Sequence, residues 1–173
     1  MELCQVPGKE KEADISLLVE RHGDTLLRFC FLYLNDLQLA QDAVQETYLK
    51  AYQNLERFRG ESSELTWLTA IALNCCRSLT RSAWFKHEDR RVDLSLLPQA
   101  SEPFDPKDDT LITQVMALPR KYREVVLLHY YQGIKLREIA QMLSVPEGTL
   151  STRLRRARER LRSQLKGWYF DED

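Results

Sequence analysis

KLREIAQMLSVPEGTLSTRLRRARERLRSQLK, residues 135–166, decides how this chain folds. Leu136, Ile139, Ala140 and Leu143 fall at i, i+3, i+4 and i+7, so they share one face of a helix. Ser144-Val145-Pro146-Glu147 interrupts that pattern. Ser144 with Glu147 three residues on has the form of a capping box, and Pro146 suits a first turn, where its missing N–H has no partner to lose. A second helix comes next, with Leu150, Leu154, Ala157 and Leu161 on its apolar face. Its other faces carry Thr149, Ser151, Thr152, Arg153, Arg155, Arg156, Arg158, Arg160 and Arg162. Two helices joined by a tight turn are the layout of a helix-turn-helix, in which the first helix props and the second enters the major groove. Small hydroxyls at the front of the second helix suit bases and phosphates, and arginines fork onto guanine or pair with phosphate. A solvated arginine-rich surface helix is the plain alternative, its final arginines complementing the helix dipole. Glu159 is the only acid among the arginines, so little internal pairing neutralises the run, and the balance favours DNA binding. Lys135 and Arg137, on the propping helix, are candidates to hold the DNA backbone.

The segments before this stretch extend the same module. Leu111 to Leu118 open it, and Pro119 fits the first turn of a helix through Tyr131. Tyr122, Val125, Val126 and Leu128 supply core, and Gly133 suits a position of positive φ after the helix. Four short helices then make one compact domain over residues 111–166, with an acidic tail, 167–173, behind it. Residues 92–110 hold Pro98, Pro103 and Pro106, and the acids Asp93, Glu102, Asp105, Asp108 and Asp109 against Lys107 alone, which predicts an extended acidic linker. Fully stretched, about 18 residues span roughly 60 Å, beyond one duplex turn of about 34 Å. A tether of that reach lets two domains read separate DNA elements, or serves as a passive acidic spacer.

The whole chain of 173 residues has room for one domain or two small ones, and its net charge is only −1, which argues against a simple DNA-coating protein. The distribution says more than the sum. From Leu111 onward 12 Lys/Arg face 7 Asp/Glu, whereas from Met1 to Arg81 the count is 9 against 12, so the two halves suit separate jobs. Cys4, Cys30, Cys75 and Cys76 form no CxxC pair, and His22, His87 and His129 are scattered. That spacing predicts no metal site and favours buried thiols in a reducing compartment. No apolar run reaches membrane-spanning length and no signal peptide opens the chain, so a cytoplasmic protein is expected.

In the first half, residues 1–13 are polar and read as a flexible N-terminus. Asp14 is a plausible N-cap for an apolar helix through Leu34, within which Gly23 marks a bend or a break. Asn35-Asp36 ends that run and starts a helix over about 37–54. Ala40, Ala43, Val44, Thr47, Tyr48, Ala51 and Tyr52 make its inward face, and Asp42, Gln45, Glu46, Leu49 and Gln53 its outward one. The outward face fits ordinary solvent-facing surface or a docking surface for a basic partner, with Leu49 as apolar anchor. Arg59-Gly60-Glu61-Ser62-Ser63 is a turn with Ser63 as N-cap. The next helix is expected to bury Trp67, Leu68, Ile71, Ala72, Cys75 and Leu79. Asn74, Arg77, Ser78 and Arg81 lie off that face, and Asn74 and Arg77 suit either nucleic-acid contact or plain exposure. Trp67 reads as a core anchor rather than a base-stacking platform. Residues 83–91 are transitional, with Trp84 and Phe85 as a seal on the first domain or part of a partner surface.

Taken together, AQDAVQETYLKAY, FRGESSELTWLTAIALN and the C-terminal LPRKYREVVLLHYYQGIKLREIAQMLSVPEGTLSTRLRRARERLR resemble the bacterial extracytoplasmic-function (ECF) sigma factors over most of residues 15–165. The resemblance implies an all-α fold of two small helical domains. A sigma region 2-like domain over residues 14–91 and a region 4-like helix-turn-helix domain over 111–166 are joined by the acidic linker. It implies a factor that confers promoter specificity on RNA polymerase by binding the −35 and −10 elements, with no cofactor, metal or small-molecule substrate. Asp42, Gln45, Glu46 and Leu49 would dock on the polymerase core, whose β′ clamp and β flap are the implied contacts. Arg59, Gly60, Ser62 and Ser63 would form the loop holding an extruded base at the −10 element, with Asn74 and Arg77 along the single strand. Lys135, Arg137, Thr149, Ser151, Thr152, Arg153, Arg155 and Arg156 would meet the −35 duplex. A cognate anti-sigma factor is a further implied partner. The chain departs from the family's pattern at Glu64, where an aromatic is frequent, at Leu65, Ala70 and Leu73, where basic residues are common, and at Ser78, where Asp is frequent. These changes remove positive charge and a stacking group from the melting surface. The competing class is a free-standing helix-turn-helix regulator, but nothing in the chain reads as a dimerisation coiled coil, ligand domain or receiver domain. An enzyme is disfavoured, since no phosphate loop, metal cluster or nucleophile–base pair stands at suggestive spacing.

Overall fold

Apolar residues recur at helical spacing through most of the chain. The computed structural model, which describes residues 7–81, 93–97 and 106–165, contains only helices, turns and loops among them. The chain divides into two units, Met1–Asp89 and Arg90–Asp173, each with its own buried set. Trp84 and Phe85, Cys4, the tail 167–173 and much of the expected linker lie outside the described residues.

Unit 1 is built from α1 (Pro7–Leu34), α2 (Leu37–Asn54) and α3 (Glu64–Thr80), with a 3-10 turn at Leu55–Arg57. Leu26, Phe29, Cys30, Phe31, Ala40, Ala51, Leu68, Ala72 and Cys76 are almost completely buried and form its core. α1 begins at Pro7, not after an N-cap at Asp14, and it passes through Gly23 unbroken. Proline is pre-set for a first helical turn. The penalty of about 1 kcal/mol for a mid-helix glycine is small beside the roughly 1.5–3 kcal/mol each from burying Leu18, Leu26 and Phe29. The Tyr48 hydroxyl donates to the Leu18 carbonyl at 3.3 Å and ties α2 to α1, and burial pushes its phenol up to about 12. Asn35 turns the chain with φ 53°, and the Asp36 carboxylate accepts the Leu39 N–H at 2.8 Å, starting α2 where expected. Ser63 caps α3 by accepting the Thr66 N–H at 3.0 Å. The buried face of α3 is turned relative to expectation: Leu68, Thr69, Ala72, Leu73, Cys75, Cys76 and Thr80 are inside, whereas Trp67, Ile71 and Leu79 are half-buried. α3 packs against both α1 and α2, so its buried arc is wide enough to take in Leu73 and Cys76.

Unit 2 comprises α4 (Pro106–Ala117), α5 (Arg120–Val126) running into a π turn at Leu127–Tyr131, α6 (Leu136–Leu143) and α7 (Glu147–Gln164), preceded by a 3-10 turn at Leu94–Leu96. α4 starts inside the segment expected to be extended. Pro106 is the first helical residue rather than a breaker, and Asp109 falls in the first turn, where negative charge suits the helix dipole. Pro119 caps α5 rather than entering it, and the Arg123 guanidinium donates to the Met116 carbonyl at 2.8 Å, satisfying the end of α4. The π turn closes with Gln132 N–H to the Leu127 carbonyl at 3.0 Å and the His129 imidazole to the Ile134 carbonyl at 2.9 Å. Gly133 then takes φ 68°, as expected of the residue after a helix end. Ile139, Leu143, Leu150, Leu154 and Ala157 close the core with Tyr122, Val125 and Leu128.

Ser144 corrects the expected capping box. It sits in the left-handed region, φ 53° and ψ 45°, with Val145 N–H bonded to the Ala140 carbonyl at 3.1 Å and Ser144 N–H to the Gln141 carbonyl at 3.3 Å. That is a Schellman ending for α6, and α7 starts behind Pro146 with no side-chain cap. A left-handed conformation costs a residue with a Cβ about 1–2 kcal/mol. Ser144→Gly is therefore expected to raise the stability of the chain, by roughly 0.5–1 kcal/mol after the entropy of the unfolded glycine is counted. Urea denaturation checks the sign, since a capping serine would make the same substitution destabilising.

Candidate functional site

Unit 1 presents an acidic and apolar stripe on α2. Asp42, Gln45, Glu46 and Leu49 are all exposed at i, i+3, i+4 and i+7, opposite the buried Ala43, Thr47 and Ala51, and Leu49 is 53% exposed. Asp42 accepts from the Gln38 amide at 3.2 Å, and Glu46 pairs with Lys50 at 3.2 Å. Lys50 also reaches the Cys75 thiol of α3 at 3.7 Å, and its ammonium is held above the usual range, first by Glu46 and then by Cys75. A large exposed leucine among carboxylates is the composition of a patch that binds through one apolar contact and a ring of charge.

The loop between α2 and α3 is closed by an aromatic stack. Phe58 and Trp67 lie 4.7 Å apart, 27° from parallel, so the residues between them start and end at one fixed point. Gly60 turns the loop with φ 70°, a conformation that favours glycine. Arg59, Gly60 and Ser63 are exposed and Ser62 is half-buried. The Ser63 hydroxyl is already engaged, accepting the Thr66 N–H at 3.0 Å and donating to the Thr66 hydroxyl at 2.9 Å, so its first role is to hold α3. Asn74 is exposed and Arg77 half-buried. Asn74 stands roughly 16 Å along α3 from Ser63 at about 1.5 Å per residue, far enough to meet a different nucleotide. Of the three apolar positions that the sequence suggests as lost charge, Leu73 is core at 1% exposure, and Leu65 and Ala70 are half-buried.

Glu64 does not face outward alone. Its carboxylate accepts from the His22 imidazole at 3.0 Å and from the Arg21 guanidinium at 3.5 Å, both on α1. The His22 hydrogen bond is the main reason its carboxyl lies below the usual range, and Arg21 adds to it. His22, Arg21 and Phe58 carry no signal in the sequence because their partners lie on other elements, up to 43 residues away, where no periodic pattern reaches.

Unit 2 exposes the other charged face. On α7 Thr149, Ser151, Thr152, Arg155 and Arg156 are exposed and Arg153 is half-buried; Lys135 and Arg137 are exposed at the start of α6. The Thr152 hydroxyl donates back to the Gly148 carbonyl at 3.0 Å. Arg155 pairs with Glu159 at 2.6 Å, so the single acid among those arginines does neutralise one of them. The Arg156 guanidinium beside Tyr122 of α5 is the largest cause of a phenol held below its usual range, with Lys121 and Arg160 adding to it. The sequence marks Tyr122 as core alone; the residue is buried, and it also lines recesses with Lys121, Arg153, Arg156 and Arg160.

The chain matches two family descriptions, Sigma-70 region 2 over residues 18–86 and Sigma-70, region 4 over residues 108–161. The ECF RNA polymerase sigma factor SigW of Bacillus subtilis is 30% identical over 166 residues, which cover 86% of this chain and 87% of the relative. The ECF RNA polymerase sigma factor SigL of Mycobacterium tuberculosis is 33% identical over 155 residues, 86% and 87% of the two chains. Among solved structures, the sigma factor RpoE in complex with the anti-sigma factor NepR from Bartonella quintana covers 91% of this chain and 98% of its own at a TM-score of 0.68 and 23% identity. CnrH in complex with the cytosolic domain of CnrY covers 91% and 90% at 0.66 and 24% identity. Both share the fold.

Glu64 gives a test of the loop's anchorage. A carboxyl whose pKa is lower folded than unfolded adds stability above the ordinary Glu range, and that stability is lost as pH falls through the lowered value. Glu64→Gln is expected to cost on the order of 0.5 kcal/mol near neutrality, as befits an exposed pair. Its thermal melt should converge with that of the parent in acid. Melts in parallel from about pH 3 to 7 check this; a gap that stays constant with pH would remove the ion pair from the account.

Proposed function

We propose how the work is divided within this chain, which belongs to the ECF family of RNA polymerase sigma factors and so confers promoter specificity on the polymerase and initiates DNA-templated transcription. In our assignment unit 1 docks on the polymerase core through Asp42, Gln45, Glu46 and Leu49. An exposed leucine ringed by carboxylates suits a basic, partly apolar partner surface, and the β′ clamp is the contact we assign to it. The loop from Arg59 to Ser63 holds a base extruded from the opened −10 element, and Asn74 and Arg77 follow the same strand. A loop pinned at both ends by the Phe58–Trp67 stack keeps its shape while a base is drawn out of the duplex, which is what a pocket for an unstacked base requires.

Unit 2 reads the −35 duplex. α7 enters the major groove with Thr149, Ser151, Thr152, Arg153 and Arg156 toward base edges and phosphates, while Arg155, tied to Glu159, contributes less than its charge alone would suggest. Lys135 and Arg137 hold the backbone from α6. The β flap is the polymerase contact we assign to this unit. The observation that carries this division is the pairing of an exposed acidic stripe in one unit with an exposed cationic helix in the other, each backed by its own core. A free-standing regulator would leave the region 2 match over residues 18–86 without a task.

The chain performs no catalysis of its own in this scheme and acts in the cytoplasm, where polymerase and chromosome are. No described helix is long and apolar enough to cross a membrane. A cognate anti-sigma protein is part of the proposal, supported by the solved structure of RpoE in complex with the anti-sigma factor NepR, and CnrH was likewise captured in complex with the cytosolic domain of CnrY.

Two substitutions separate the surfaces. Asp42→Arg with Glu46→Arg should lower affinity for core polymerase on the order of tenfold or more, since like charges would then face each other across the contact; a native-gel or fluorescence titration with core enzyme measures it. Arg156→Ala should leave that affinity unchanged and remove roughly 1–3 kcal/mol of promoter discrimination, read as transcription in vitro from an intact against a base-exchanged −35 element.

A further inference from the structure

The front of α7 borders a recess that it shares with α5. Thr149, Thr152, Arg153 and Arg156 fall at i, i+3, i+4 and i+7, so they stand on one face of the helix. With Lys121 and the buried Tyr122 of α5 they line a recess of about 380 Å³. A pocket for an uncharged ligand is lined mainly by apolar side chains. This one holds three cations and two threonines, and no carboxylate lines it. Glu159, which lines the adjoining recess, is engaged by Arg155 at 2.6 Å. Such a lining suits an anion with several acceptor oxygens, and a phosphodiester has that chemistry.

Lys121 is the member that the sequence does not mark. It lies on α5, ahead of the helix-turn-helix pair, and it is exposed. Its ammonium stands 5.1 Å from the centroid of the Tyr122 ring, and the Arg160 guanidinium carbon stands 5.5 Å from the same centroid. Tyr122 is 6% exposed, so the ring that gathers these two cations is fixed in the core of unit 2. A ring attracts a cation through its quadrupole and leaves the charge uncancelled, as a carboxylate does not. Among the described residues no salt bridge engages Lys121, Arg153, Arg156 or Arg160.

We propose that this recess seats one backbone phosphate of the −35 duplex, with Lys121 as a DNA-contacting residue on α5. A helix lying in the major groove is flanked by the phosphate backbones, so a cation on the helix beside its front meets backbone rather than base edges. Lys121 supplies a compact point charge with three donors, and Thr149 and Arg153 serve the same phosphate from α7. Arg156, with five donors in a planar fork, has enough for the recess and a base edge together. The contact sets the register of α7 on the duplex and carries no base information of its own. This rests on the assignment of α7 to the −35 duplex.

Lys121→Gln removes the charge and keeps most of the side chain, and Lys121→Arg keeps the charge. The test uses the full chain with core polymerase, on a promoter that the reconstituted holoenzyme selects from genomic DNA. Companion templates carry either single exchanged −35 base pairs or a single −35 phosphate replaced by an uncharged methylphosphonate. Promoter affinity is measured against salt concentration. Lys121→Gln is expected to weaken binding about fivefold at roughly 0.15 M salt and to lower the salt slope by about one, the share of a single phosphate contact. The loss should be equal on every exchanged −35 sequence, and Lys121→Arg should bind as the parent does. At one methylphosphonate position the parent should lose the same factor, and Lys121→Gln should lose nothing further there. Melting temperature and affinity for core enzyme should stay at parental values. Unchanged promoter binding by Lys121→Gln, a loss that varies with the exchanged base pair, or a further loss at every methylphosphonate position overturns the proposal. If one of these occurs while Arg156→Ala still relaxes base preference, the proposal falls alone. If Arg156→Ala leaves base preference intact, the assignment of α7 fails and the phosphate seat fails with it.

Discussion

Three buried side chains, Leu150, Leu154 and Ala157, hold α7 on its unit, and the helix can carry six arginines only because these three face inward. Apolar burial is non-directional and needs little of the helix surface, whereas a charge is useful to a nucleic acid only if it stays solvated until contact. A narrow apolar seam therefore leaves most of the circumference free. The same division recurs on α2, where Ala40, Ala43, Thr47 and Ala51 are completely or almost completely buried and the opposite stripe is acidic. The small residues at that seam bring α2 close to its neighbours, so the acidic stripe stands on a firmly seated helix.

The charges of the two units differ in how they are committed. Glu46 is shared with Lys50, Arg155 with Glu159, and Glu64 with His22 and Arg21, so the formal total conceals several local cancellations. Exposed pairs of this kind contribute little to stability, about 0–1 kcal/mol each. Their larger effect is on recognition, because they decide which charges still face a partner. On α7 the distinction falls between adjacent residues, Arg155 being spent on an acid and Arg156 standing exposed beside it. Surfaces that bind through such charges weaken as salt rises, since both ion pairing and counterion release are screened.

How much of this is legible in the sequence depends on the range of the interaction. The helical period places α2 at its observed limits and puts Ile139, Leu143, Leu150 and Leu154 in the core, because burial of one face leaves a repeat that can be read within a dozen residues. Turn chemistry is less legible. Ser144 and Glu147 have the spacing of a capping box, but the left-handed end of α6 claims Ser144 first, and two backbone bonds outweigh one side-chain bond. Pro106 looks like a linker residue and is a helix start, since proline punctuates in both ways and the residues after it set the choice. The contacts that shape the candidate sites, Phe58 on Trp67, His22 on Glu64 and Arg160 over Tyr122, join different elements. No local pattern predicts them.

Glu64 shows why the second kind of contact matters. An acid immediately after the paired serines looks hostile to a surface proposed to accept a phosphate backbone, and from the sequence it counts only as lost charge. In the folded unit its carboxylate is bracketed by an imidazole at 3.0 Å and a guanidinium at 3.5 Å. The negative charge is thus directed toward α1, and the pairing links the first turn of α3 to α1 next to the serine that caps it. An aromatic at this position could stack on a base but could not make that link. The loop from Arg59 to Ser63 has in consequence two independent anchors, the Phe58–Trp67 stack across its mouth and the Glu64 ion pair at its exit. With its shape set by the scaffold at both ends, the loop does not depend on a stacking residue at position 64 to keep the form that an extruded base would meet.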